Sequence, residues 1–283
     1  MSQMDTDAFL GKSEEDRVRM KDRALAWMDA VCYGHKPVAI FGLFSGGDDS
    51  MTACHIAAQH HRFTAMVHIN TGIGIEKTRV FVRETCKKYG WPLREYFAKD
   101  YGQDYREICL KYGFPGPGQH FRMYARLKER GLRVAVREAK KEYKDRVMLV
   151  TGVRASESER RMGTVGVFER RGASLWTNPI YDWKKGDCLE YLQDEKVERN
   201  PVAALIHKSG ECLCGAFAKQ PEELKEIEYW FPETAREIHA LEAEVAAAGI
   251  KACKWGVRPP GGRSMKAPFM PMCHGCEKQR VAQ

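Results

Sequence analysis

The chain lacks an apolar run of the roughly 20 residues that a membrane-spanning helix needs. Its opening stretch, Met1 to Ser13, is polar and has no apolar core of the kind a secretion signal carries. Both absences point to the cytoplasm and away from a membrane partner. No Gly-x-x-x-x-Gly-Lys-Ser/Thr segment occurs, which excludes a phosphate loop of the kinase or GTPase type. A strong charge bias is missing too: the formal net charge is +8 over 283 residues. That excess is either a solubility margin or a modest affinity for a polyanion such as a nucleotide or nucleic acid.

What is present describes an ordinary globular protein. Hydrophobic residues make up 43% and charged residues 30%, enough for one large or two modest domains with a core. Ten cysteines are many for a compartment that disfavours disulfides, so clustered ones read as metal ligands or as reactive groups. Six of them (Cys32, Cys54, Cys86, Cys109, Cys188 and Cys253) stand alone and read as small buried hydrophobes.

Strands and helices alternate through the first two thirds. Val38 to Phe44 is almost continuously apolar, as a central parallel strand must be. It runs into Ser45-Gly46-Gly47-Asp48-Asp49-Ser50 and then a helical segment, Met51 to Gln59. Such a strand, tight turn and helix start expose backbone N–H groups and the positive end of a helix dipole, which suits phosphate. Further strands are expected at Phe63 to Ile69, Leu93 to Phe97 and Val147 to Thr151, with a helix from Glu76 to Tyr89. The second strand ends in Asn70-Thr71-Gly72, at the carboxyl edge where open parallel sheets collect ligands.

The pattern predicts an α/β fold: a doubly wound, mainly parallel sheet with helices on both faces, followed by a mainly helical, cysteine-containing C-terminal region. We divide the chain into residues 1–35, an N-terminal tail and helix; 36–196, the nucleotide-binding α/β domain; and 197–283, the C-terminal region. A long helix is expected from Phe121 to Tyr143, with Arg122, Arg126, Arg130, Arg133 and Arg137 on one face, either solvated or phosphate-contacting. Asp182 is expected to cap a helix from Trp183 to about Gln193. Asn200-Pro201 reads as a chain break, and Glu222 to Ala248 as one helix or two, broken near Phe231-Pro232. Lys251 to Ala267 reads as a basic loop.

Two further constellations carry chemistry. The strand ending at Thr151 leads into Gly152-Val153-Arg154 and on to Arg160-Arg161, which sets arginines at a strand end over the phosphate loop. Cys212-Leu213-Cys214-Gly215 and Cys273-His274-Gly275-Cys276 form two close pairs separated by a helical insert. Their cysteines (Cys212, Cys214, Cys273 and Cys276) can converge on one tetrahedral metal. Four thiolates fit zinc or an iron–sulfur cluster, [4Fe-4S] included.

Ser45-Gly46-Gly47-Asp48-Asp49-Ser50 resembles the SGGxDS loop of the adenine-nucleotide alpha-hydrolase (PP-loop) superfamily, whose members cut ATP between the alpha and beta phosphates. Gly152, Arg154, Glu157, Ser158 and Arg161 are similar to a segment of its sulfonucleotide (PAPS) reductase-like branch, as is Pro179 to Trp183. The resemblance spans roughly residues 38 to 185. It implies ATP and Mg²⁺ as cofactors, with Phe44, Ser45, Gly46, Gly47, Asp48, Asp49, Ser50, Asn70, Gly72, Gly152, Arg154, Glu157, Arg160 and Arg161 lining the nucleotide. Ser45, Asp49, Arg154 and Arg161 are the residues it implies for catalysis, with Asp49 ahead of Asp48 as the metal-holding carboxylate.

The Glu-Cys-Gly-(Leu/Ile)-His motif of the reductases is missing, and Glu211-Cys212-Leu213-Cys214-Gly215 matches it only in part. Among the superfamily's branches the chain looks most like the ATP pyrophosphatase of DNA phosphorothioation systems. That likeness implies adenylation of nucleic acid, DNA ahead of tRNA, for sulfur incorporation, with a cysteine desulfurase as partner. Sulfonucleotide reduction, tRNA thiolation and a non-catalytic nucleotide-binding subunit are the competing functions. The oligomeric state is left open.

Overall fold

The structure, a computed structural model, describes residues 14–116, 119–155, 166–216, 218 and 222–257. Six strands form one sheet in the order β3-β2-β1-β4-β6-β5. They are β1 (Ala39–Leu43), β2 (Ala65–Asn70), β3 (Leu93–Phe97), β4 (Val147–Val150), β5 (Phe168–Arg171) and β6 (Ser174–Thr177). All neighbours run parallel except β5, which pairs antiparallel with β6. The β5–β6 hairpin has no strong apolar signature in the sequence. Phe168-Glu169-Arg170-Arg171 is an edge strand carrying charge, and it lies alongside β6 rather than in the core.

The strands alternate their side chains between two apolar layers, as a period of two requires. Ile40, Met66 and Met148 face a layer built with α1 (Glu14–His35), α2 (Asp48–Ala58) and α3 (Glu76–Lys88). Phe41, Val67 and Leu149 face the opposite layer, closed by Leu132, Ala135 and Val136. Those three lie on α6 (Arg130–Ala139), which follows α4 (Tyr105–Tyr112), α5 (His120–Tyr124) and a π-helical turn at Ala125–Glu129. The expected single helix from Phe121 to Tyr143 is therefore interrupted and ends at Ala139. The π turn resets the helix so that Leu127 and the α6 stripe both reach apolar neighbours. Arg122, Arg130, Arg133 and Arg137 are exposed, and Arg126 lies over the Tyr112 ring at 4.3 Å.

The remaining helices are α7 (Lys185–Asp194), α8 (Pro201–Ile206), α9 (Glu222–Trp230) and α10 (Pro232–Ala247). The break before Pro232 falls where the proline predicts it. Two other expectations change. Asp182 does not cap α7 but pairs with Arg23 at 2.6 Å, and the α7 start is held by Asp187 accepting from the Lys184 N–H at 2.7 Å. Asn200-Pro201 is a helix start rather than a break: the Asn200 side chain accepts from the Val202 N–H at 3.0 Å, and Pro201 opens α8.

A third apolar cluster joins α4 to the C-terminal helices. Ile75, Tyr105, Phe114, Leu213, Ile238 and Trp255 meet there. Trp255 donates its indole N–H to the Leu213 carbonyl at 2.6 Å, pinning the segment that carries Cys212 and Cys214. Among the described residues no helix is long and apolar enough to cross a membrane.

Asn200 does two jobs, since its amide nitrogen also donates to the Gly46 carbonyl at 2.9 Å. Asn200→Ala removes the α8 cap and that bond together. We expect a loss of about 1–2 kcal/mol in denaturant unfolding, whereas Asn200→Asp should retain the cap and lose the two bonds its amide nitrogen donates, to the Gly46 carbonyl and, at 3.1 Å, to Thr78 Oγ1.

Candidate nucleotide site at the strand switch

From β1 the chain crosses to β2 and β3 on one side and later returns to place β4 on the other. The switch point is thus the gap between the carboxyl ends of β1 and β4, where open α/β sheets bind ligands. Both expected motifs end there. The Ser45–Ser50 loop leaves β1 and enters α2, whose cap residue is Gly47. Gly152 leaves β4 and lies against that helix start: a Cβ on Gly152 would stand 2.5 Å from the Asp49 backbone and 2.6 Å from the Ser50 nitrogen. Only glycine permits this approach, and it brings Arg154 to the loop.

The loop is held by its own hydroxyls. Ser50 Oγ donates to the Gly47 carbonyl at 2.8 Å and accepts from Ser45 Oγ at 3.1 Å and from the Ser45 N–H at 3.3 Å. Its two carboxylates are each clamped by cations. Arg199 grips Asp48 with two parallel bonds, Nε to Oδ1 and Nη2 to Oδ2, both 3.0 Å. Lys185 Nζ lies 2.9 Å from Asp48 Oδ2 and 3.2 Å from Asp49 Oδ1, bridging the pair. Arg154 Nη2 donates to Asp49 Oδ2 at 3.0 Å. Burial pushes the Asp48 carboxyl upward, but the hydrogen bonds from Arg199 and Lys185 outweigh it and hold it below the usual carboxylate range. Because Lys185 joins an oxygen of each carboxylate, these oxygens already hold a cation. The donor set therefore fits Mg²⁺, which prefers carboxylate oxygen.

Not every expected residue faces the loop. Phe44 sits in the core against Phe81 and Trp91, and only its backbone takes part: its carbonyl accepts from His68 Nδ1 at 2.7 Å. Asn70 and Gly72 shape the turn after β2, with the Gly72 N–H bonded to Asn70 Oδ1 at 3.1 Å. They border a separate cavity of about 480 Å³ with Phe97, Lys99, Tyr105 and Arg106. Glu157, Ser158, Arg160 and Arg161 lie outside the described residues, as do Cys273 and Cys276.

Cys212 and Cys214 lie side by side, next to the loop. Ser209 connects them to it: its Cβ would lie 3.4 Å from a Cβ on Gly47, and it also lines a cavity of about 220 Å³ with Cys212, Cys214, Lys128 and His120. A hydrogen bond from Cys214 holds the Cys212 thiol below its usual range despite its burial, with help from Lys128. The lone cysteines behave oppositely, with burial pushing Cys86, Cys109 and Cys188 up to about 12.

Glu211 anchors this segment. Its carboxylate accepts from the Thr71 N–H at 3.0 Å and stands 3.3 Å from His68 Nε2 and 3.5 Å from Arg79 Nε. The Thr71 hydroxyl donates to the Glu211 carbonyl at 2.8 Å. Gly74 makes the fit possible, since a Cβ there would stand 2.3 Å from the Glu211 oxygen.

Lys185, Arg199, Asn200 and Glu211 were not anticipated as site residues. Asn200-Pro201 carried a helix-start signature that also placed Arg199 one residue before a cap. Nothing local marked Lys185, and Glu211 stood out only within a partial reductase-type motif; the partners of both are more than 130 residues away.

Residues 39–206, more than half of the chain, match the phosphoadenosine phosphosulfate reductase domain family. No curated protein matches the chain. Among solved structures, phosphoadenylyl-sulfate (PAPS) reductase from Candida auris, a phosphate complex, is 15% identical over 69% of this chain and 93% of its own, with a TM-score of 0.49. The U34-tRNA thiolase NcsA from Methanococcus maripaludis, solved with its [4Fe-4S] cluster, is 14% identical over 89% of this chain and 88% of its own, with a TM-score of 0.49. The FMN adenylyltransferase of Candida glabrata, in complex with FAD and inorganic pyrophosphate, is 12% identical over 69% and 64%, with a TM-score of 0.48.

The sign of the Asp48 shift fixes a pH dependence. A carboxylate whose folded pKa is depressed adds stability that is fully present above its unfolded value, about 3.9, and lost as pH falls through the folded value. Asp48→Asn should therefore be clearly less stable than the parent at pH 7, and the gap in thermal midpoint should close as the pH is lowered below about 4. An unchanged gap down to pH 3 would show that Arg199 and Lys185 do not stabilise the charged form.

Proposed function

The chain belongs to the phosphoadenosine phosphosulfate reductase domain family, and from that membership we propose that it is an ATP pyrophosphatase that adenylates an acceptor for sulfur incorporation. One observation carries the proposal: the Ser45–Ser50 loop, Arg154, Lys185 and Arg199 converge on one helix start around Asp48 and Asp49. A triphosphate over α2 meets backbone N–H groups and the helix dipole. The cationic side chains supply the charge-assisted contacts that phosphate oxygens accept.

The acceptor oxygen attacks the alpha phosphorus. The bond from that phosphorus to the oxygen leading to the beta phosphate breaks, and its electron pair leaves on pyrophosphate. Arg154 and Lys185 stand beside the loop to stabilise the charge gathering on the leaving group. Asp49 is the residue that would hold Mg²⁺, since both Asp48 oxygens are committed to Arg199. Bound metal would supply neutralisation of the leaving charge. The α7 and α8 starts, which carry Lys185 and Arg199, position the catalytic groups on regular elements rather than on long loops.

Nucleic acid is the acceptor we propose, DNA ahead of tRNA, with a cysteine desulfurase as the sulfur source and the cytoplasm as the place. The exposed Arg122, Arg130 and Arg137 and the net charge of +8 support a polyanionic partner. Cys212 and Cys214 provide half of a four-thiolate site, and their adjacency fits zinc or an iron–sulfur cluster once Cys273 and Cys276 complete it. A second function is favoured by one observation, the lowered Cys212 thiol in a cavity that shares Ser209 with the phosphate loop. A thiolate so placed suits nucleophilic attack on a sulfonucleotide.

Pyrophosphate release separates the functions. With ATP, Mg²⁺ and DNA or tRNA, we expect release that falls by about 100-fold or more in Asp49→Ala. Release under none of these conditions overturns the proposal, and sulfite formation from adenylyl sulfate with a dithiol reductant supports the second function instead. For the metal, anaerobically purified Cys212→Ser should lose the zinc or iron that the parent carries, measured by elemental analysis.

A further inference from the structure

We propose that Lys185 is a built-in counter-cation of the phosphate loop, which a divalent metal must displace and which nucleotide draws away. The inference rests on the adenylating function above only in naming Mg²⁺ as the metal. Its basis is the difference among the three cations on the acidic pair. Arg154 is 8% exposed and fixed from β4, and Arg199 holds both Asp48 oxygens at 3.0 Å in the planar fork a guanidinium forms. Lys185 is different in each respect. Its side chain is 47% exposed, it sits on the first residue of α7, and its ammonium is a compact charge on a flexible four-carbon stem.

Lys185 also occupies the decisive position. It bridges the two carboxylates, at Asp48 Oδ2 and Asp49 Oδ1. A divalent ion needs such oxygens at about 2.0–2.1 Å. An ammonium 2.9 and 3.2 Å from the same atoms excludes it by charge and by space. In the absence of nucleotide the carboxylates are therefore satisfied internally and metal binds weakly. A phosphate arriving over α2 offers the ammonium a new anionic partner, the stem swings outward, and Asp49 Oδ1 is released to the metal while Arg199 keeps both Asp48 oxygens. Metal and nucleotide then favour each other, and by linkage the coupling is reciprocal.

The test is Mn²⁺ binding to the full-length protein, followed by electron paramagnetic resonance, without turnover. The parent should bind Mn²⁺ weakly alone and at least about fivefold more tightly with the non-cleavable α,β-methylene analogue of ATP. Lys185→Met should bind Mn²⁺ alone at least about fivefold more tightly than the parent and lose most of that coupling. Lys185→Arg, which retains the charge, should stay weak without nucleotide, and Lys196→Met should behave as the parent. Unchanged Mn²⁺ affinity in folded Lys185→Met, verified by circular dichroism, overturns the proposal, as does equal Mn²⁺ affinity of the parent with and without the analogue. Because no cleavage is read, failure of ATP hydrolysis bears on the adenylating function and leaves this outcome unaffected.

Discussion

A buried carboxylate must be paired, and at Asp48 that requirement organises the site. The residue is 5% exposed at the first position of α2, where an unpaired charge would be costly even with a helix dipole beneath it. Its partners come from far along the chain, Lys185 at the start of α7 and Arg199 just before α8. Satisfying one carboxylate therefore folds two distant helix starts over the phosphate loop. Removing either partner leaves the other elements packed but the charge exposed to a low dielectric, which is the expensive half of a buried ion pair.

The same economy reaches the cysteine segment by a second route. Glu211 is 1% exposed and draws on the Thr71 N–H, His68 and Arg79, all belonging to β2, its turn and α3. His68 in turn donates to the Phe44 carbonyl, the residue before Ser45. A carbonyl only accepts, so Nδ1 carries the proton there. One short chain of polar contacts thus runs from the base of the phosphate loop to the residue preceding Cys212. The geometry ties the phosphate loop to a thiol pair by this route as well as through Ser209, which borders both.

Sequence made the sheet and the loop legible because their signals are local. An apolar run ending in Ser-Gly-Gly-Asp-Asp-Ser fixes strand, turn and helix within a dozen residues, and Leu93 to Phe97 was bounded correctly by its flanking Pro92 and the polar run after it. Arg154 was legible as well, because it follows directly on a strand end, over the crevice that the phosphate loop borders. The hairpin at Phe168 to Thr177 was missed because an edge strand with three charged residues in four carries no apolar run. The π turn at Ala125–Glu129 was missed because its cause is tertiary: two apolar layers, not one stripe, take up the helix. The pairing of Lys185, Arg199 and Glu211 at the site was hidden for a related reason. Each is an unremarkable charge in its own neighbourhood, and only the fold supplies the opposite charge.

Gly74 and Gly152 give the molecule a property beyond their local fit. At both seams one backbone rides directly on another, with room for less than a methyl group between them. The atoms nearest each glycine are backbone atoms, which cannot rotate aside as a side chain can when one partner shifts. The end of β4 is therefore geared to the phosphate loop, and the thiol-bearing segment to the turn after β2, without slack. A displacement of one backbone at either seam must be passed on to the other as displacement, because the two are already in contact.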